Sequence, residues 1–114
     1  MNILIILNDP PYGSERSYNG LRTAKALASA DANVTVFLLA DSVLCAKSGQ
    51  KVPEGFYNIE IMLKAIARSG DVLMCGACMD ARGIKDEEII EGAERSTMKT
   101  LADKTLSADN VLVF

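Results

Sequence analysis

Four stretches of the chain are continuously apolar: Asn2–Leu7, Asn33–Ala40, Asp71–Cys75 and Asn110–Phe114. None alternates apolar with polar residues. Continuous Val/Ile/Leu runs of this length suit strands covered on both faces, as in a parallel sheet. The segments between them carry a helical period. Glu15–Ala30 puts Leu21, Ala24, Leu27 and Ala28 on one face. Ser14 can cap this helix, and Glu15 lies favourably against its positive end. Asn58–Ser69 is the clearest case, with Ile59, Met62, Leu63, Ile66 and Ala67 at helical spacing and Gly70 as a C-terminal stop. Asp86–Ala93 reads as a shorter helix. Ser96–Leu106 repeats the pattern through Met98, Leu101, Ala102, Thr105 and Leu106.

This order predicts one α/β domain over residues 1–114. It has three layers: a mainly parallel sheet of four to five strands with helices on both faces, joined by right-handed crossovers. Three loops are richer than simple connection requires: NDPPYGS at 8–14, the long segment 41–57, and CGACMDARGIK at 75–85. Each follows the C-terminal end of a predicted strand, the edge at which open parallel sheets bind ligands. The pattern therefore gathers Cys45, Cys75, Cys78 and Arg82 near one edge.

Composition narrows the chemistry. With 49% apolar residues but 5% aromatic and no Trp, the core is aliphatic. The net charge of −3 and the scattered Lys and Arg exclude a nucleic-acid partner, which needs a concentrated cationic face. No apolar run approaches the roughly 20 residues that span a bilayer, so no membrane partner is expected. The N-terminus reads as a strand rather than a signal peptide. Three cysteines, an odd count, point to free thiols in the reducing cytoplasm. With no His, a Ser-His-Asp triad and a Cys-His pair are both impossible within one chain. No cofactor and no metal site is expected.

Cys75 and Cys78 carry the candidate chemistry. The thiolate is the reactive form of cysteine. Peptide N–H groups in a tight turn can stabilise an anion, and Arg82 and Lys85 are local cations. Four readings of the C-x-x-C pair stay open. In a thioredoxin-like dithiol the pair starts a long helix, but Gly83 interrupts this stretch. Structural zinc wants four ligands and the pair supplies two. The others are a single sulfur-transferring thiol and two ordinary strand-end residues. For Cys45, simple packing is preferred. The two prolines and glycine of NDPPYGSERS are well explained as a fixed strand-to-helix turn rather than an anion site. Asp9 and Asp41 resemble the acidic positions of a receiver domain, yet Cys75 stands where the acceptor Asp belongs. Met62, Met74, Met79 and Met98 read as core filler. Asp86, Glu87 and Glu88 read as a solvated helix start.

Five segments together resemble one family: PYGSE at 11–15, GQK at 49–51, EGFYNIEIML at 54–63, C-x-x-C-x-D-x-R-G-I at 75–84 and TLSADNVLVF at 105–114. They resemble the DsrE/DsrF-like family and, within it, the YchN-like branch. The resemblance implies a three-layer α/β fold and self-association as a homotrimer or homohexamer. In relatives that carry sulfur as a persulfide, the cysteine lies eight residues before the Gly of R-G-[IV]. Cys75 and Gly83 have that spacing. The implied reading is a sulfur-relay carrier with Cys75 holding the persulfide. Cys78 would be a resolving thiol, Arg82, Lys47 and Lys51 anion stabilisers, and sulfur donor and acceptor proteins the partners. Whether this amounts to sulfurtransferase activity stays open. The rivals are a non-enzymatic oligomeric binding or structural protein and a C-x-x-C thiol–disulfide redox protein.

Overall fold

The structure, a computed structural model, describes all residues from Met1 to Phe114. Five strands form one sheet: β1 (Asn2–Leu7), β2 (Asn33–Leu38), β3 (Asp71–Cys75), β4 (Ala93–Ser96) and β5 (Asn110–Val113). Their order across the sheet is β4-β3-β2-β1-β5, and every pairing is parallel. Four α-helices accompany them: α1 (Arg16–Ser29), α2 (Ile59–Ala67), α3 (Gly76–Ala81) and α4 (Met98–Ser107). A 3-10 segment, Ala40–Ala46, follows β2. The expected α/β fold, with helices on both faces of a parallel sheet, is what the chain adopts.

Side chains alternate across each strand, so the sheet has two apolar faces. Ile3, Ile5 and Leu7 of β1, Val34, Val36 and Leu38 of β2, and Val72 and Met74 of β3 face α1 and α2, within a core of 19 buried residues. Leu4, Phe37, Leu73 and Cys75 face the other way and make a core of only four, with Leu101 of α4 against it. This inequality leaves α4 without a single buried residue. Leu106 of α4 is 86% exposed and Val113 of β5 is 65% exposed. Met98, expected as core filler, is exposed too.

Two helix expectations are refined by local chemistry. The N-cap of α1 is Glu15, whose side chain makes no capping bond; Ser14, the expected cap, lies one residue earlier, where its hydroxyl accepts the Arg16 N–H at 3.3 Å and donates to Asp9 Oδ2 at 2.6 Å. Asn58 accepts the Ile61 N–H at 3.1 Å and fixes the start of α2.

The expected helix over 86–93 does not form. Asp86–Glu88 is a single 3-10 turn, and the chain then extends into β4. The reason is backbone pairing. Ser48 donates to the Glu88 carbonyl and Ile90 donates to the Ala46 carbonyl, both at 2.8 Å, which holds 88–90 extended against 46–48. The strand AERS was unreadable because it is an edge strand, where charged side chains are favoured over an apolar run. No helix is long and apolar enough to cross a membrane.

Candidate cysteine site

Cys75 ends β3, and its inward direction is set by strand alternation. It is 4% exposed. The chain then turns into α3, with Cys75 itself as the N-cap: its Sγ accepts the backbone N–H of Cys78 at 3.4 Å. The helix has only six residues. Gly83, at φ +65°, turns the chain away from it. This is not the long helix that follows a thioredoxin-like pair.

Cys78, half-buried in α3, accepts a second backbone donor. The Ala40 N–H, just past the end of β2, reaches its Sγ at 3.2 Å. Each sulfur of the pair thus accepts one peptide N–H. Burial pushes the Cys78 thiol up, and the Cys75 side chain beside it adds to the rise. The Ala40 N–H and the charge of Arg82 oppose this.

Arg82 lies beside this pair but is already engaged. Its Nε donates to Asp41 Oδ1 at 2.8 Å and its Nη1 to the Cys78 carbonyl at 3.1 Å. Its charge therefore bears on Cys78 and is partly neutralised by Asp41. The Lys47 ammonium faces Glu88 at 4.0 Å.

Cys45 does not join the pair. It is fully buried in the larger core, on the α1/α2 side of the sheet, whereas Cys75 lies in the smaller core on the other face. Burial pushes its thiol up to about 12, with the Ser17 hydroxyl opposing. Packing, the reading preferred from sequence, accounts for it. No group of three or more His, Cys, Asp or Glu side chains comes together as a metal-ligand set.

Two participants were invisible in the sequence. The Ala40 N–H is a backbone group and carries no residue signature. Arg95 belongs to the missed strand β4. It donates to the Gly76 carbonyl at 3.2 Å, to Asp80 at 3.0 Å and to Asp86 at 3.0 Å, gripping α3 from the sheet edge. A Cβ at position 76 would meet the Arg95 Nη1 at 3.0 Å and the Ser96 carbonyl oxygen at 3.3 Å, so a larger residue after Cys75 would press on this grip and on β4. A cavity of about 660 Å³ opens beside α3, lined by Asp80, Gly83, Lys85 and Arg95, and one of about 700 Å³ lies between α1 and α2, away from the cysteines.

The fold and this edge define a small parallel α/β protein with two adjacent free thiols, each held by a backbone donor, at the C-terminal edge of its sheet. The chain belongs to the DsrE/DsrF-like family, whose model matches residues 1–114. It is 44% identical over 115 residues to protein YchN of Escherichia coli (strain K12), covering 98% of this chain and 97% of that one. It is 38% identical over 114 residues to uncharacterized protein MJ0989 of Methanocaldococcus jannaschii, covering both chains completely. The crystal structure of the E. coli YchN protein superimposes with a TM-score of 0.93 at 43% identity, covering 100% of this chain and 99% of that one. The structure of protein MTH1491 from Methanobacterium thermoautotrophicum, at 10% identity, shares the fold with a TM-score of 0.75 over 97% of each chain.

Proposed function

We propose that this protein is a sulfur-relay carrier that holds sulfane sulfur as a persulfide on Cys75. The observation that carries the reading is the Cys78 N–H directed at Cys75 Sγ, at the sheet edge where parallel folds place their chemistry. Family membership supports the same reading.

The chemistry is thiol exchange without a cofactor. The Cys75 thiolate attacks the outer sulfur of a donor persulfide. A new S–S bond forms on Cys75, the donor's S–S bond breaks, and the donor leaves as thiolate. An acceptor thiolate then attacks the outer sulfur of Cys75–S–SH, takes it, and returns Cys75 as thiolate. Cys78 resolves the cycle when no acceptor arrives: it attacks the inner sulfur, hydrosulfide leaves, and a Cys75–Cys78 disulfide remains until a thiol reduces it. The low exposure of Cys75 makes movement of the short helix α3 part of loading.

The thin core on the α4 face supports the accompanying proposal of self-association as a homotrimer or homohexamer. Leu106 and Val113 would be covered there by another copy.

A dithiol redox role is the second reading, favoured by the contact between Cys78 and the Cys75 sulfur. Intact-protein mass spectrometry after polysulfide treatment separates the two. The expected result is a one-sulfur adduct on wild type and Cys78→Ser, absent from Cys75→Ser, that moves to an added acceptor thiol. Because Cys78 can convert the wild-type adduct to a disulfide, the deciding protein is Cys78→Ser: loss of two hydrogens in wild type with no transferable adduct on Cys78→Ser would favour the redox reading. No change in any of the three proteins would sink both and leave a binding or structural oligomer.

A further inference from the structure

All three tyrosines of the chain form one stack. Tyr57 stacks with both Tyr12 and Tyr18, at centroid distances of 5.9 Å and 4.0 Å. The Arg22 guanidinium stands over the Tyr18 ring at 5.3 Å. Tyr18 and Tyr57 line one end of the groove of about 700 Å³ between α1 and α2, whose lining is eight hydrophobic residues of twelve. Phe56 and Ile61, in the same lining, are exposed despite their size. The volume lies in the range of small-molecule sites, roughly 300–1,000 Å³.

The charge of this groove is unlike that of the chain. The protein carries a net −3, yet no carboxylate lines the groove, and its two charged residues are Arg22 and Lys25. Neither is in an ion pair, and among the other cations only Lys51, Arg68 and Lys85 share that, the rest all facing carboxylates. Successive turns of one helix thus hold two uncompensated cations beside an apolar, aromatic trough. Two cations are too few for a nucleic-acid backbone. They match one anionic group on an apolar body.

We infer that the α1/α2 groove binds a small organic anion, a carboxylate or sulfonate carried on an aromatic or aliphatic body. Arg22 and Lys25 take the anionic group, and the apolar body covers Phe56, Ile61 and the small residues Ala26 and Ala65 between the helices. The apolar contact supplies affinity and the cations select for charge. The site is separate from the cysteine pair and does not rest on the sulfur-carrier reading.

Calorimetric titration with 2-naphthoate tests this on wild type, Arg22→Gln/Lys25→Gln, Ala26→Leu and Cys75→Ser. All the groove substitutions fall at exposed positions, so the fold is retained. Saturable binding is expected to wild type and Cys75→Ser alike. It weakens at least about tenfold in the double variant and on exchanging naphthoate for neutral 2-naphthylmethanol. It also weakens in Ala26→Leu, which fills the trough. Equal binding of the alcohol and the acid would overturn the inference, as would absence of saturation. So would an assembly in solution that Ile61→Glu dissociates, since the groove would then be a contact between copies.

Discussion

Ala40 donates its backbone N–H to Cys78 Sγ at 3.2 Å while holding a left-handed backbone, φ +50°. An alanine in that region is strained, by about 1–2 kcal/mol. The strain sits where the chain leaves β2 and aims a donor at a sulfur, the kind of place where backbone strain concentrates. Ala40→Gly keeps the N–H and removes the strain, offset in part by the freer unfolded chain. It should raise stability by roughly 0.5–1 kcal/mol in urea unfolding. Ala40→Val, with a branched side chain in the same conformation, should lower it by about 1–3 kcal/mol.

Arg82 helps to hold the Cys78 thiol down against burial, although Asp41 neutralises part of its charge. Arg82→Gln removes the cation, so the Cys78 thiol rises further and less thiolate is present at pH 8. Iodoacetamide labelling of Cys78, followed by peptide mass spectrometry, should slow a few-fold and its pH profile should move upward. Arg82→Lys should retain much of the wild-type rate. Stability should change by less than about 1 kcal/mol, because this ion pair is exposed.

Cys45 makes stability depend on alkaline pH. Its thiol has an ordinary value of 9.0 when unfolded and is pushed up to about 12 in the core. Above pH 9 the unfolded chain loses this proton and the native protein keeps it. The unfolded state then binds fewer protons, so stability falls as pH rises, by up to about 1.4 kcal/mol per pH unit. Urea midpoints from pH 8 to 11 should fall more steeply for wild type than for Cys45→Ala. Equal slopes would show that the core thiol ionises freely.

The α4 face should be a contact between copies. Sedimentation velocity is expected to show wild type as a trimer or hexamer, and Val113→Asp as smaller species with unchanged far-UV circular dichroism. A monomeric wild type at micromolar concentration would remove self-association from the proposal.

Hydrophobic patterning was enough for the fold class, four of the five strands and three of the helices. Those elements announce themselves because burial on both sheet faces demands continuous apolar runs, and burial of one helix face demands a period near 3.6. The sequence also determined that Cys75 and Cys78 share a strand-end turn, since three residues of chain cannot separate them far. Tertiary structure decided the rest. Asp86–Ala93 was helical by composition, but pairing of 88–90 with 46–48 draws it straight, and β4 then adds itself to an open edge that tolerates charge. Strand alternation turns Cys75 into the smaller core, while the 3-10 segment after β2 carries Cys45 into the larger one, although both lie beyond the middle of the sheet toward its C-terminal edge. The Ala40 donor, the grip of Arg95 on α3 and the tyrosine stack join residues distant in the chain. No local pattern encodes such contacts, because each depends on where two separately folded segments come to rest.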